Sequence, residues 1–188
     1  SKLTLSKFTV STSNNDDGIV TFVAGAVHDI SEIVITSGEL RYNNGVAYEN
    51  TSPCPVKVKG GMLRVDNFNF EKNYIVLEGG QIYSSQDNGF VTNLIYNSGS
   101  VRVPFNTTEN RPSMVTVLGN ISGISKDNPL KLSSDIWPAS STASKSFRVI
   151  AIPTSDLAVT WDMFDLSDID FDDKTKRLQG SIVIENGI

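Results

Sequence analysis

Four polar residues, Arg41, Arg64, Tyr83 and Arg102, follow one another at intervals of 23, 19 and 19 residues. A guanidinium makes paired hydrogen bonds to carboxylate oxygens, and a phenol adds a donor and an aromatic ring. If equivalent positions stack, the four form an external stripe of ligand-binding groups about 4.8 Å apart. Such a stripe suits a polyanion, sialylated or uronic sugars, or a neighbouring subunit. The plainer alternative is a solvated face whose long side chains cover a sheet and are offset by Glu39 and Glu78.

Carboxylates offer a second chemistry. Asp168, Asp170 and Asp172 align with positions 1, 3 and 5 of a calcium loop, which gathers hard oxygens from one short segment. Asp173 then stands where a Gly is needed for the turn, and Gln179 where a bidentate Glu belongs. Ile169 and Phe171 alternate with the aspartates, so a solvated amphipathic strand is the competing reading. No cofactor is implied beyond that candidate Ca2+ site. The Asn14, Asn15, Asp16, Asp17 run is explained by a turn ahead of Gly18.

Catalytic constellations are sparse. Asp66, Asp87 and Asp162 are candidate acids, but glycoside chemistry needs two carboxylates at a fixed separation, which spacing alone does not locate. There is no G-x-S-x-G, H-E-x-x-H or P-loop sequence. The one histidine, His28, lacks the flanking glycines of pectin hydrolases, and Cys54, between two prolines, reads as structural. Trp137 and Trp161 are expected to anchor a cap against the core. Three N-x-S/T sequons, at Asn50, Asn106 and Asn120, are no more than an Asn- and Ser/Thr-rich chain produces by chance.

What must position these groups is a repeat reading apolar, any, apolar, polar, small, Gly, any, apolar. Its copies are IVITSGEL from Ile33, VKVKGGML from Val56, IVLEGGQI from Ile75 and LIYNSGSV from Leu94, with a weaker fifth, VTVLGNIS, from Val115. The reference glycines are Gly38, Gly61, Gly80 and Gly99, with Asn120 in the fifth slot, where Asn tolerates positive φ. Three columns are apolar at 14 of 15 places, against a chain-wide hydrophobic share of 39%. Only Ser122 fails. Two of the columns lie two residues apart and therefore share one face of a strand.

A strand pair with a tight Gly bend every 20 or so residues matches one turn of a single-stranded right-handed parallel β-helix. The expected fold is all-β, with about five such turns and irregular capping ends; a β-sandwich is the alternative, but it leaves the glycine spacing unexplained. The expected parts are an N-terminal cap over 1–29, the repeat region over 30–123 and a C-terminal cap with a hairpin over 124–188, in one continuous domain. The 188 residues suffice for one such domain. The single cysteine excludes an internal disulfide, and no window provides the apolar run of a membrane helix. A net charge of −5 argues against nucleic acid.

Gly60-Gly61-Met62-Leu63, Gly79-Gly80-Gln81-Ile82 and Phe70-Glu71-Lys72-Asn73 resemble the GGA-aliphatic and F-x-x-N marks of polymorphic membrane proteins. The repeat region as a whole resembles the pectin-lyase-like β-helices of bacterial surface and autotransporter-passenger proteins. The chain departs from those marks in lacking Ala after the paired glycines and in carrying F-x-x-N once. The resemblance implies a non-enzymatic extracellular or cell-surface segment, outer membrane-associated and adhesin-like. Its expected partner is a host or matrix glycan or a protein surface, and the chain would belong to a longer fibre or stack end to end. The alternative is a polysaccharide-active lyase or glycoside hydrolase, or a phage tailspike fragment.

Overall fold

The computed structural model of the chain describes residues 2–12, 18–22, 27–42, 47–48, 54–66, 73–85, 89–108, 110–134, 137–138, 150–151, 160–169 and 171–172. Its strands stack in parallel into a β-solenoid with about four regular turns, beginning at Ile33, Val56, Ile75 and Leu94. The described strands lie on three faces. On the first face, Phe8–Val10, Ile33–Ile35, Cys54–Val58, the first half of Asn73–Tyr83, the first half of Asn93–Arg102 and Ile121–Ser122 lie side by side.

The second face carries Ile19–Phe22, Glu39–Tyr42, Met62–Arg64, the second halves of the two long strands, Leu130–Ser133 and Phe164–Asp168. The third face is seen in two sheets, Lys2–Leu5 with Val27–Ile30 and Ala47–Tyr48, and Gly89–Val91 with Val115–Val117 and Ile150–Ala151. Parallel pairing therefore runs on both before Ile30 and after Gly123. Among the described residues the one antiparallel pair is a hairpin of Phe105–Asn106 with Arg111–Pro112, set between the second and third faces.

The register explains the sequence columns. Ile33, Val56, Ile75 and Leu94 are consecutive partners, as are Ile35, Val58, Leu77 and Tyr96, and Leu40, Leu63, Ile82 and Val101. All twelve are buried. No single turn can enclose its own apolar residues, so each depends on the turns above and below for burial.

The corner between the first two faces is where glycine is required. Gly38, Gly61 and Gly99 hold φ of +75°, +62° and +101°. A Cβ at Gly61 would run into the Gly38 carbonyl, one at Gly80 would sit 2.7 Å from the carbonyl oxygens of Gly60 and Gly61, and one at Gly99 would run into the Gly80 carbonyl. Those carbonyls are in use. The amides of Met62 and Gln81 donate to Gly38 and Gly61 at 2.8 and 2.9 Å. The four reference glycines thus form one column, as the spacing predicts.

The fifth repeat copy is corrected. Val115–Val117 lies on the third face, partnered by Gly89–Val91, and the place beneath Leu94 belongs to Ile121. The positive-φ residue of that turn is Gly123, at +85°, and the amide of Asn120 instead donates to Asn93 Oδ1 at 2.8 Å. Leu132, not Ser122, continues the column of Val101. An apolar-any-apolar triplet reads alike on every face of a solenoid, so the pattern slid by one leg where the turn lengthens.

Candidate functional site

Arg41, Arg64, Tyr83 and Arg102 occupy one register column on the outside of the second face. Each follows a buried column residue, and strand alternation turns it outward. All four are half-buried. The Tyr83 ring lies between two cations, with the guanidinium carbon of Arg64 5.2 Å and that of Arg102 5.5 Å from its centroid. Both distances are within cation–π range. With its faces so occupied, the ring presents its edge and hydroxyl rather than a stacking platform for a sugar.

Arg41 and Arg64 are already neutralised. Arg41 forks onto Glu39, its Nη2 donating to Oε2 at 2.8 Å, and these hydrogen bonds raise its pKa further. Arg64 donates through Nε to Asp66 Oδ2 and through Nη2 to Ser85 Oγ at 2.7 Å. Ser85 in turn donates its amide to Asp66 Oδ1 at 2.5 Å and its hydroxyl to Oδ2 at 2.6 Å. Glu39 was foreseen as an offset to the stripe. Glu78 instead faces Lys59 at 3.6 Å, and Asp66 takes its place. The signal for Asp66 was the i, i+2 spacing to Arg64, which puts both on one strand face.

The other candidates are scattered. Asp168 is exposed and pairs with Lys131 at 3.4 Å; Asp170 and the Asp172 side chain lie outside the described residues. Among the described residues no group of three or more His, Cys, Asp or Glu could hold a metal ion. Of the candidate acids, Asp66 is the anion of Arg64, and Asp87 lies outside the described residues. Asp162 accepts from Thr160 and pairs with Lys126 at 2.9 Å, which lowers its pKa and keeps it an ionised surface carboxylate.

His28 is buried inside the third face, 4% exposed, its ring centroid 4.1 Å from that of Phe22. Desolvation lowers its pKa. Cys54 is buried in the core, as a structural cysteine would be. Trp161 departs from expectation: it is 70% exposed, on the 3-10 turn Trp161–Met163, rather than packed beneath a cap. Trp137 lies in the strand Trp137–Pro138, whose partner Phe171–Asp172 runs parallel to it. No helix among the described residues is long and apolar enough to cross a membrane.

No protein-family model, curated protein or solved structure matches this chain.

Proposed function

We propose that this chain is a non-enzymatic β-solenoid segment of an extracellular or cell-surface protein, of the bacterial, pectin-lyase-like passenger kind, acting as a structural and adhesin-like binding module. The single observation that carries this reading is the outward column of Arg41, Arg64, Tyr83 and Arg102 standing on continuous buried columns. A surface whose groups are fixed at each turn spends little ordering entropy on binding.

After Arg102 the chain inserts the hairpin of Phe105–Asn106 with Arg111–Pro112 before it reaches the third face. Variable segments beside a constant rod are a natural source of selectivity. The partner is a host or matrix glycan, or a protein surface, with acidic groups that meet the guanidinium and phenol groups of the stripe.

The test is a binding panel of uronic, sialylated and neutral glycans, with reducing ends and unsaturated products assayed in parallel. Expected is binding to acidic members without turnover, lost in Arg102→Glu when its melting is unchanged. Turnover of any polysaccharide would replace the binding module with the carbohydrate-active alternative. Binding that ignores the charge of residue 102 would remove the stripe as its surface.

A further inference from the structure

The hairpin of Phe105–Asn106 with Arg111–Pro112 leaves the solenoid beside the outward column. The Val65 amide donates to the Tyr83 carbonyl and the Ser84 amide to the Arg102 carbonyl, so the ladder of the second face runs on past the column. Val65, Ser84 and Val103 then form the next inward set, all fully buried, and Asp66, Ser85 and Pro104 the next outward one. Asp66 and Ser85 use that position to hold Arg64. One turn on, at Pro104, the same position is where the chain departs into the hairpin.

Its base is fixed. Ser113 donates its amide to the Pro104 carbonyl at 2.9 Å and its hydroxyl to the Ser84 carbonyl at 2.5 Å, and both Pro112 and Ser113 are buried. Phe105 packs against the core. At the tip the Thr108 amide donates to Asn106 Oδ1 at 3.0 Å, and Asn110 holds a φ of +54°. Thr107, Thr108, Asn110 and Arg111 are exposed, and Glu109 lies outside the described residues. An arm rooted in this way spends little ordering entropy when a ligand reaches it.

What the tip offers is hydroxyl and amide groups. Glu109 and Arg111 cancel in charge. Among its described residues the hairpin exposes no large apolar side chain, whereas a protein partner is typically held by an aromatic or other large anchor at the centre of the contact. Sugars carry hydroxyls beside their carboxylates, and a threonine hydroxyl both donates and accepts.

We propose that the hairpin is the selectivity arm of the stripe: the column of Arg41, Arg64, Tyr83 and Arg102 takes the carboxylates of a uronic glycan, and Thr107 and Thr108 hydrogen-bond the hydroxyls of the sugar lying against Arg102. This rests on the binding reading above and narrows its partner to a glycan read by hydroxyl configuration as well as by charge.

Isothermal titration of the full chain with glucuronate, mannuronate and galacturonate oligomers tests it, since these carry equal charge per sugar and differ in the configuration of their hydroxyls. The wild type is expected to bind the best of them about tenfold more tightly than the worst, the worth of one or two net hydrogen bonds. Thr107→Ala combined with Thr108→Ala should abolish that preference at unchanged melting, because both side chains are exposed. Thr107→Ser with Thr108→Ser keeps both hydroxyls and should retain it. Arg102→Glu should weaken all three ligands alike. A wild type without preference, or a preference unchanged in the alanine pair, overturns the arm and leaves the stripe standing. Uronate binding that is absent, or indifferent to Arg102→Glu, removes the stripe and the arm with it.

Discussion

His28 gives the interior a pH dependence whose sign follows from its burial. Desolvation holds its pKa below the ordinary value, so the unfolded chain binds the proton more readily. Stability is full above about pH 6.5 and declines as pH falls from there toward the lowered folded pKa. The thermal midpoint is expected to drop between pH 7.5 and 5.5, with the slope flattened in His28→Phe. Glu32, Asp162 and Asp165 act in a lower window. Their pKa values are lowered, chiefly by Lys57, by Thr160 and by the Ser167 amide, so their contributions fade only in the acid range of carboxylates. A midpoint flat across the upper window would contradict the buried, neutral imidazole. Asp66→Ala strips the Ser85 amide and the Arg64 guanidinium of their acceptor, and should cost about 1–3 kcal/mol in chemical denaturation. Asp162→Ala, on the surface, should cost much less than Asp66→Ala. The column of Arg41, Arg64, Tyr83 and Arg102 was legible because strand alternation and a constant turn length suffice to place it. The cluster around Arg64 was only half legible: the i, i+2 spacing offers Asp66 as its anion, but Ser85 closes the cluster from the next turn and only three-dimensional register brings it there.

At the scale of elements, a turn needs its corner glycine and its inward residues together. Gly61→Ala should destabilise, and by more than the roughly 1 kcal/mol that a strain-free Gly→Ala change would add to stability, since the φ of +62° and the Gly38 carbonyl both oppose a Cβ. Leu77→Ala should cost about 2–5 kcal/mol as a cavity. Leu77→Asp, which places an unpaired charge among fully buried neighbours, should abolish the cooperative melt; a retained melt near the parent's temperature would tell against the column. Four repeat copies were readable because their spacing hardly varies. The fifth was not: the hairpin of Phe105–Asn106 and Arg111–Pro112 stretches that turn, and local pattern carries no mark of which face a strand joins. The parallel strand Phe164–Asp168 was likewise hidden, because its partner Leu130–Ser133 lies a long connection away.

For the whole molecule, one arrangement underlies the site, the corner column and the ends: equivalent segments stacked in parallel and in register. The outward residues Lys57 and Val76 are register partners on adjacent turns, and Ile95 is the partner of Val76 on the next. Adjacent turns stand about 4.8 Å apart, within reach of a disulfide; alternate turns stand twice as far apart, beyond it. The most direct measurement is therefore oxidation of paired cysteines in a Cys54→Ala background, followed by mass spectrometry of the monomeric band. Stacking predicts an intramolecular disulfide for Lys57→Cys with Val76→Cys and none for Lys57→Cys with Ile95→Cys. Failure of the first pair to close, or equal closure of both, would contradict the stacked register.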